Sequence, residues 1–238
     1  TTVTPIERNR VNVTFTVSEG GVARIDQIRI VGNQAFSEST LLGEMDLTPG
    51  GAMTWYTKSD RYSRTKLNAD LETLRAYYLN RGYLEFNVES TQVAISADKQ
   101  RISITINVNE GQRYLVTGVQ FTGDYLGREE EFHSLVTIQP GNAYRAEDVA
   151  NTQKAFTDRF GYFGYAFARV ESIPQIDRNT GRVKVVLHAE PNRRVYVRRI
   201  NISGNTRTRD EVIRREFRQL ESAWYDGRRI KLSRDRVD

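Results

Sequence analysis

Cysteine is missing from this chain altogether, so it has neither a disulfide framework nor a thiolate metal site. That fits any compartment, including an oxidising one where a stray thiol is a hazard. Histidine occurs only twice, at His133 and His188, in places that do not correspond to one another. Both read as ordinary helix-surface or strand residues. No H-E-x-x-H, phosphate-binding loop or paired-carboxylate motif appears, so the reading is of a non-enzyme without metal or other cofactor. Long apolar runs are absent too, and none approaches the roughly 20 residues a helix needs to cross a bilayer. No basic-then-apolar segment opens the chain, which starts inside a strand pattern and reads as a portion of a longer protein.

What the chain does have is repetition. Residues 101–124, RISITINVNEGQRYLVTGVQFTGD, alternate Ile102, Ile104, Ile106 and Val108 with polar residues and turn at Glu110-Gly111. A second strand follows and closes on Gly123-Asp124. Residues 10–33 (RVNVTFTVSEGGVARIDQIRIVGN) and 182–205 (RVKVVLHAEPNRRVYVRRINISGN) carry the same pattern. The closing glycines, Gly32, Gly123 and Gly204, lie 91 and 81 residues apart. A strand–turn–strand unit at that period marks the junction between copies of one small domain. Each copy is large enough to bury a modest core unaided.

Residues 1–20 read as the closing hairpin of one unit, with a turn over 5–9 and Val11, Val13, Phe15 and Val17 alternating against polar neighbours. In the unit 21–110, a strand over 25–31 leads to a helix over 38–45 capped by Ser37 and stopped by Pro49-Gly50. A second helix carries Leu67, Leu71, Leu74 and Tyr78 as one apolar stripe and ends at Gly82, with strands over 84–95 and 101–109 behind it. The unit 111–191 repeats this order: a strand over 115–122, a helix over 129–136, Pro140-Gly141, a helix over 146–160, then Phe163-Gly164-Tyr165 in the place of Arg81-Gly82-Tyr83. The unit 192–238 offers a strand over 195–203, a helix over 210–220 opened by a Thr208–Glu211 capping box, and a second helix from about Asp226. On the helix over 210–220, Val212, Ile213, Phe217 and Leu220 form the expected core side. The first unit is longer than the second within residues 51–64, an inter-helix loop that holds Trp55.

The order β-α-α-β-β predicts an α+β fold: a three-stranded mixed sheet with two helices on one face. Strand three belongs in the centre and strand two at the edge, where unpaired backbone can accept another strand.

Several motifs together resemble POTRA domains: the Gly-Asn after strand one, the Pro-Gly between helices and the R-G-Y or F-G-Y after helix two. The stretches IRIVGNQAFSESTLL, DLETLRAYYLNRGYLEFNVESTQV and VRRINISGNTRTRDEVIRREFRQLESAW are similar to the outer-membrane assembly branch of that family. The long loop with Trp55 is similar to the third of that branch's five domains, which places the chain from the end of the second to the first half of the fifth. The resemblance implies a periplasmic scaffold, without enzymatic activity, in a Gram-negative bacterium. Its partners would be unfolded outer-membrane proteins, accessory lipoproteins on the last and the earlier units, and a C-terminal membrane barrel. Related transporters for translocation-assembly or two-partner secretion share the domain and are the alternative.

Two surfaces follow as expectations. Residues Glu85, Phe86, Asn87, Val88, Glu89 and Ser90 form an edge strand to which a client strand adds. Arg214, Arg215, Glu216 and Arg218, on the exposed side of a helix, dock a partner lipoprotein. The charge is uneven: from Arg193 onward fourteen basic residues face seven acidic ones, net +7, so residues 1–192 carry −2 of the total +5. A basic tail suits nucleic acid, but no RNP or helix-turn-helix signature or aromatic stacking platform accompanies it. Anionic lipid headgroups account for it equally well.

Overall fold

A computed structural model describes residues 2–6, 10–14, 23–50 and 59–237. Phe15, Val17, the Glu19-Gly20 turn and Trp55 lie outside them. Strands β1 (Thr2–Ile6) and β2 (Arg10–Thr14) form an antiparallel hairpin with Val3 opposite Val13. Pro5 lies within β1 opposite Val11, inside the strand and not in the expected turn.

Two three-stranded sheets follow, built alike. In the first, β3 (Arg24–Val31), β4 (Asn87–Ile95) and β5 (Arg101–Asn109) take the order β3-β5-β4. In the second, β6 (Leu115–Gly123), β7 (Arg169–Asp177) and β8 (Arg182–Glu190) take the order β6-β8-β7. Strand three is central in both, as expected, and the alternation reports its buried side: Ile102, Ile104, Ile106 and Val108 are buried, and so are Val183, Val185, Leu187 and Ala189. The first strand of each sheet runs parallel to the third, with a register slip at the same place, Ile25/Gln27 and Val116/Gly118.

The helices are α1 (Glu38–Leu42), α2 (Arg64–Leu79), α3 (Glu129–His133), α4 (Ala146–Tyr162), α5 (Asp210–Glu216) and α6 (Gly227–Val237). Ser37 caps α1, accepting the Thr40 amide. Helix one is shorter than its sequence pattern in every unit. α1 stops at Gly43, whose amide reaches the Ser39 carbonyl, and α3 stops at His133. The chain beyond is caught by an acceptor on helix two. Asp70 takes the amides of Asp46 and Leu47 at 2.8 and 3.0 Å. Thr152 takes that of Thr137 at 3.2 Å, and Ser233 takes those of Arg218 and Gln219 at 2.7 and 3.2 Å. All three acceptors are buried.

A second repeated contact ties the inter-helix loop to strand one. Gly50, Gly141 and Ser222 donate their amides to the carbonyls of Ile25, Val116 and Val197, at 2.9, 2.8 and 2.7 Å. Ser222 does so with a φ of 57°, in the left-handed region that Gly141 occupies at 88°.

Contacts gather the chain into two units, Thr1–Leu74 with Val88–Asn109, and Arg75–Asn87 with Glu110–Asp238. The second core centres on an aromatic cluster of Tyr125, Phe132, Phe156 and Phe160, with Phe121 stacked on Tyr125 at 4.8 Å. Burying each such ring adds on the order of 2–3 kcal/mol.

The third repeat departs from expectation. Residues 195–203 form no strand; an isolated bridge joins Tyr196 to Trp224. In the complete repeats strand one is parallel to a strand that comes later, and among the described residues no strand follows α6. The capping box does not form either: the cap residue is Arg209, without a side-chain bond. α5 ends at Glu216 because Phe217 is extended. Of its expected core side, Val212 and Leu220 are exposed, at 42% and 59%. A 450 Å³ apolar groove lined by Val197, Ile200, Phe217, Ile230 and Val237 lies open beside them.

Candidate functional site

The expected edge strand starts later than the sequence pattern. Glu85 and Phe86 belong to a turn, with the Phe86 amide on the Tyr83 carbonyl, and β4 begins at Asn87. Phe86 is buried and stacked on Tyr78, with ring centres 4.1 Å apart. An aromatic so placed belongs to the core and has no face for a client. Asn87, Val88, Glu89 and Ser90 do lie on β4, at the open edge of its sheet. There Asn107 donates to Ser90 Oγ at 2.8 Å and Asn109 to Glu89 Oε1 at 3.3 Å, both across to β5.

Glu85 has a different task. Tyr114 donates its hydroxyl to the Glu85 carboxylate, and Arg178 reaches the other oxygen at 2.7–2.8 Å. The Tyr114 bond first, then Arg178, hold the Glu85 carboxyl below the usual range; burial, then Glu85 itself, push the Tyr114 phenol up. Beside this triad the Tyr114 amide donates to the Gly82 carbonyl at 2.8 Å. Gly82 has a φ of +99°, and an added Cβ would stand 3.0 Å from the Tyr114 carbonyl oxygen. The next joint repeats the arrangement: Val195 donates to the Gly164 carbonyl at 3.0 Å, and Gly164 also has a φ of +99°. The Gly161–Gly164 stretch is thus a helix end and a joint, as its place after helix two suggests. Sequence reading found both glycines, but neither the Glu85–Tyr114–Arg178 triad nor the Asp70, Thr152 and Ser233 acceptors. Their matching positions in the repeat were the available signal.

On the last repeat the four expected docking residues are not alike. Arg214 is engaged within the repeat, bonding Asp210, Glu221 at 3.1 Å and the Ile200 carbonyl at 3.0 Å. Asp210 first, against some desolvation, raises its pKa. Glu216 pairs with Arg236 at 3.0 Å. Arg215 and Arg218 are exposed. His133 stacks on Phe121, with ring centres 4.4 Å apart, and His188 Nδ1 lies 3.1 Å from the Thr122 hydroxyl. Both imidazoles are packed against neighbours, as strand and helix-end residues. No helix among the described residues is long and apolar enough to cross a membrane.

A sheet with an open edge, two covering helices and a backbone joint at the helix-two glycine define a recurring module, and the chain belongs to the POTRA family, described as surface antigen variable number repeat, with matches over residues 23–111, 114–192 and 195–238. Within that family the chain is similar to the outer membrane protein assembly factor BamA of Neisseria meningitidis serogroup B, 38% identical over 99% of this chain and 30% of that protein. BamA of Buchnera aphidicola is 29% identical over 96% of the chain and 37% of its own length. The chain therefore spans about a third of these relatives. Among solved structures, the crystal structure of Haemophilus influenzae BamA POTRA3-5 superposes with a TM-score of 0.80 at 28% identity, covering 92% of this chain and 85% of that one.

Proposed function

We propose that this chain is the periplasmic scaffold of an outer-membrane β-barrel assembly factor, holding unfolded outer-membrane proteins by strand addition ahead of a C-terminal membrane barrel. The observation that carries it is β4, a nine-residue strand that among the described residues is bonded to the sheet on one side only. Main-chain pairing is indifferent to side-chain identity, which suits a receptor whose clients share little beyond β-propensity. The 38% identity to an outer membrane protein assembly factor supports the same reading. Asn87, Val88, Glu89 and Ser90 then belong to the client edge, and Glu85 holds the joint beside it. Its place is the periplasmic face of the outer membrane of a Gram-negative cell. A proline scan along 87–95 with client crosslinking in cells tests this: crosslinking falls at outward-facing positions, and crosslinking unchanged throughout rejects strand addition.

A BamD-like lipoprotein docks on the last repeat through Arg215 and Arg218, which are exposed, while Arg214 and Glu216 keep the docking helix in place; a BamB-like lipoprotein sits on the earlier repeats. Arg215→Glu lowers co-purification of the first of these several-fold. Normal recovery removes Arg215 from the interface.

A further inference from the structure

Strand addition needs a row of outward amides and carbonyls, and of the two complete repeats only the second has a proline in its edge strand. In the second repeat β7 pairs with β8 without a slip, from Arg169 opposite Glu190 to Asp177 opposite Arg182. In an antiparallel pair the amide and carbonyl of one residue point the same way, and the direction reverses at the next. Gln153 of α4 donates its side-chain amide to the Val170 carbonyl at 2.9 Å, so Val170 faces away from β8. Ser172, Pro174 and Ile176 share that direction. Pro174 therefore stands on the open side, where its missing N–H breaks the row halfway. Gln153 has already taken the carbonyl at one end.

No proline lies between Asn87 and Ile95. The Ser96 amide donates to the Arg101 carbonyl at 2.9 Å, so the backbone of the neighbouring Ile95 faces away from β5. Val93 and Ile95 are 36% and 61% exposed, which supplies apolar contact for an incoming strand.

We propose that Pro174, aided by Gln153, closes the edge of the second repeat, so that an added strand of unfolded, β-forming polypeptide is directed to β4. The proposal rests on the strand-addition reading above and assigns Pro174 as the residue that decides between the two edges. The test places a photoreactive amino acid at Gln92 or at Gln175, both exposed, in the 238-residue chain. The probe is a synthetic peptide alternating valine and threonine, with lysines at its ends. Capture from position 92 is expected to exceed capture from 175 by about ten-fold, and Pro174→Thr to remove most of that gap, as one or two backbone bonds restored would do. Ile95→Pro is expected to depress capture at 92, with an unchanged thermal melt showing that each variant is folded. No capture at 92 in the parent chain sinks strand addition itself, and the proposal with it. Capture at 92 together with equal capture at 175 in the parent, or no gain at 175 in Pro174→Thr, overturns the role of Pro174 and leaves strand addition standing.

Discussion

Asp70, Thr152 and Ser233 show how one structural task is met by three side chains. Each is a buried acceptor on helix two that holds the backbone just beyond helix one. Asp70→Ala leaves two amides without a partner, one of them fully buried, which costs about 2–3 kcal/mol and lowers the urea midpoint. Thr152→Ser keeps the acceptor and is expected to shift that midpoint far less. Glu85 acts at the joint instead. Its carboxyl binds a proton less tightly when folded than when free, so its contribution is complete above the ordinary carboxylate value and fades as pH falls through the lowered one. Glu85→Gln should therefore flatten the dependence of the thermal melt on pH between neutrality and strong acid. A parallel drop in parent and variant would place the acid sensitivity elsewhere. These residues were hidden from sequence reading for a physical reason. Asp, Thr and Ser share hydrogen-bonding capacity, not size or hydropathy, and pattern analysis scores the latter two.

The strands were legible because period-two alternation reports burial on one side of a sheet directly; Ile102 to Val108 and Val183 to Ala189 are buried as written. Helix one was not, since its length depends on Gly43 and on the distant Asp70, which local periodicity does not register. Strand one of the third repeat failed for a related reason: Val195 to Ser203 has the composition of a strand, but pairing supplies the structure. The glycine that closes strand one tests this contrast. A Cβ at Gly123 would stand 2.2 Å from the Ala189 carbonyl oxygen, and one at Gly32 2.1 Å from that of Val108, whereas Gly204 has open space around it. All three have φ between +85° and +96°. Gly204→Ala should cost about 1–2 kcal/mol, the left-handed penalty alone. Gly32→Ala and Gly123→Ala should cost clearly more by denaturant unfolding, and equal losses at the three sites would contradict the register drawn here.

For the chain as a whole, composition spoke clearly about class and poorly about sites. The repeat period and the Gly-Asn, Pro-Gly and R-G-Y motifs were enough for the family; Gly32, Gly82, Gly141 and Gly164 in those motifs all stand at positive φ. The edge was legible from strand order but its start was not: Phe86 has strand composition and a core location. The net +7 after Arg193 predicts that the chain cosediments with anionic vesicles and that binding weakens as salt rises. Duplex DNA should produce no comparable shift; retention of DNA without vesicle binding would reverse this assignment.

The bond from the Tyr114 amide to the Gly82 carbonyl, matched by Val195 and Gly164, has a consequence for how such chains diversify. Donor and acceptor both belong to the peptide backbone, so at 114 and 195 every replacement except proline keeps the donor, while Gly82 and Gly164 must stay free of a Cβ. Sequence drift is left to act on the flanking grip, where Glu85 and Arg178 clasp one joint while Arg194 lies 4.5 Å over the Trp224 ring at the other. Concatenation is thus inherited with the fold itself, while the stiffness of each coupling stays open to adjustment one side chain at a time.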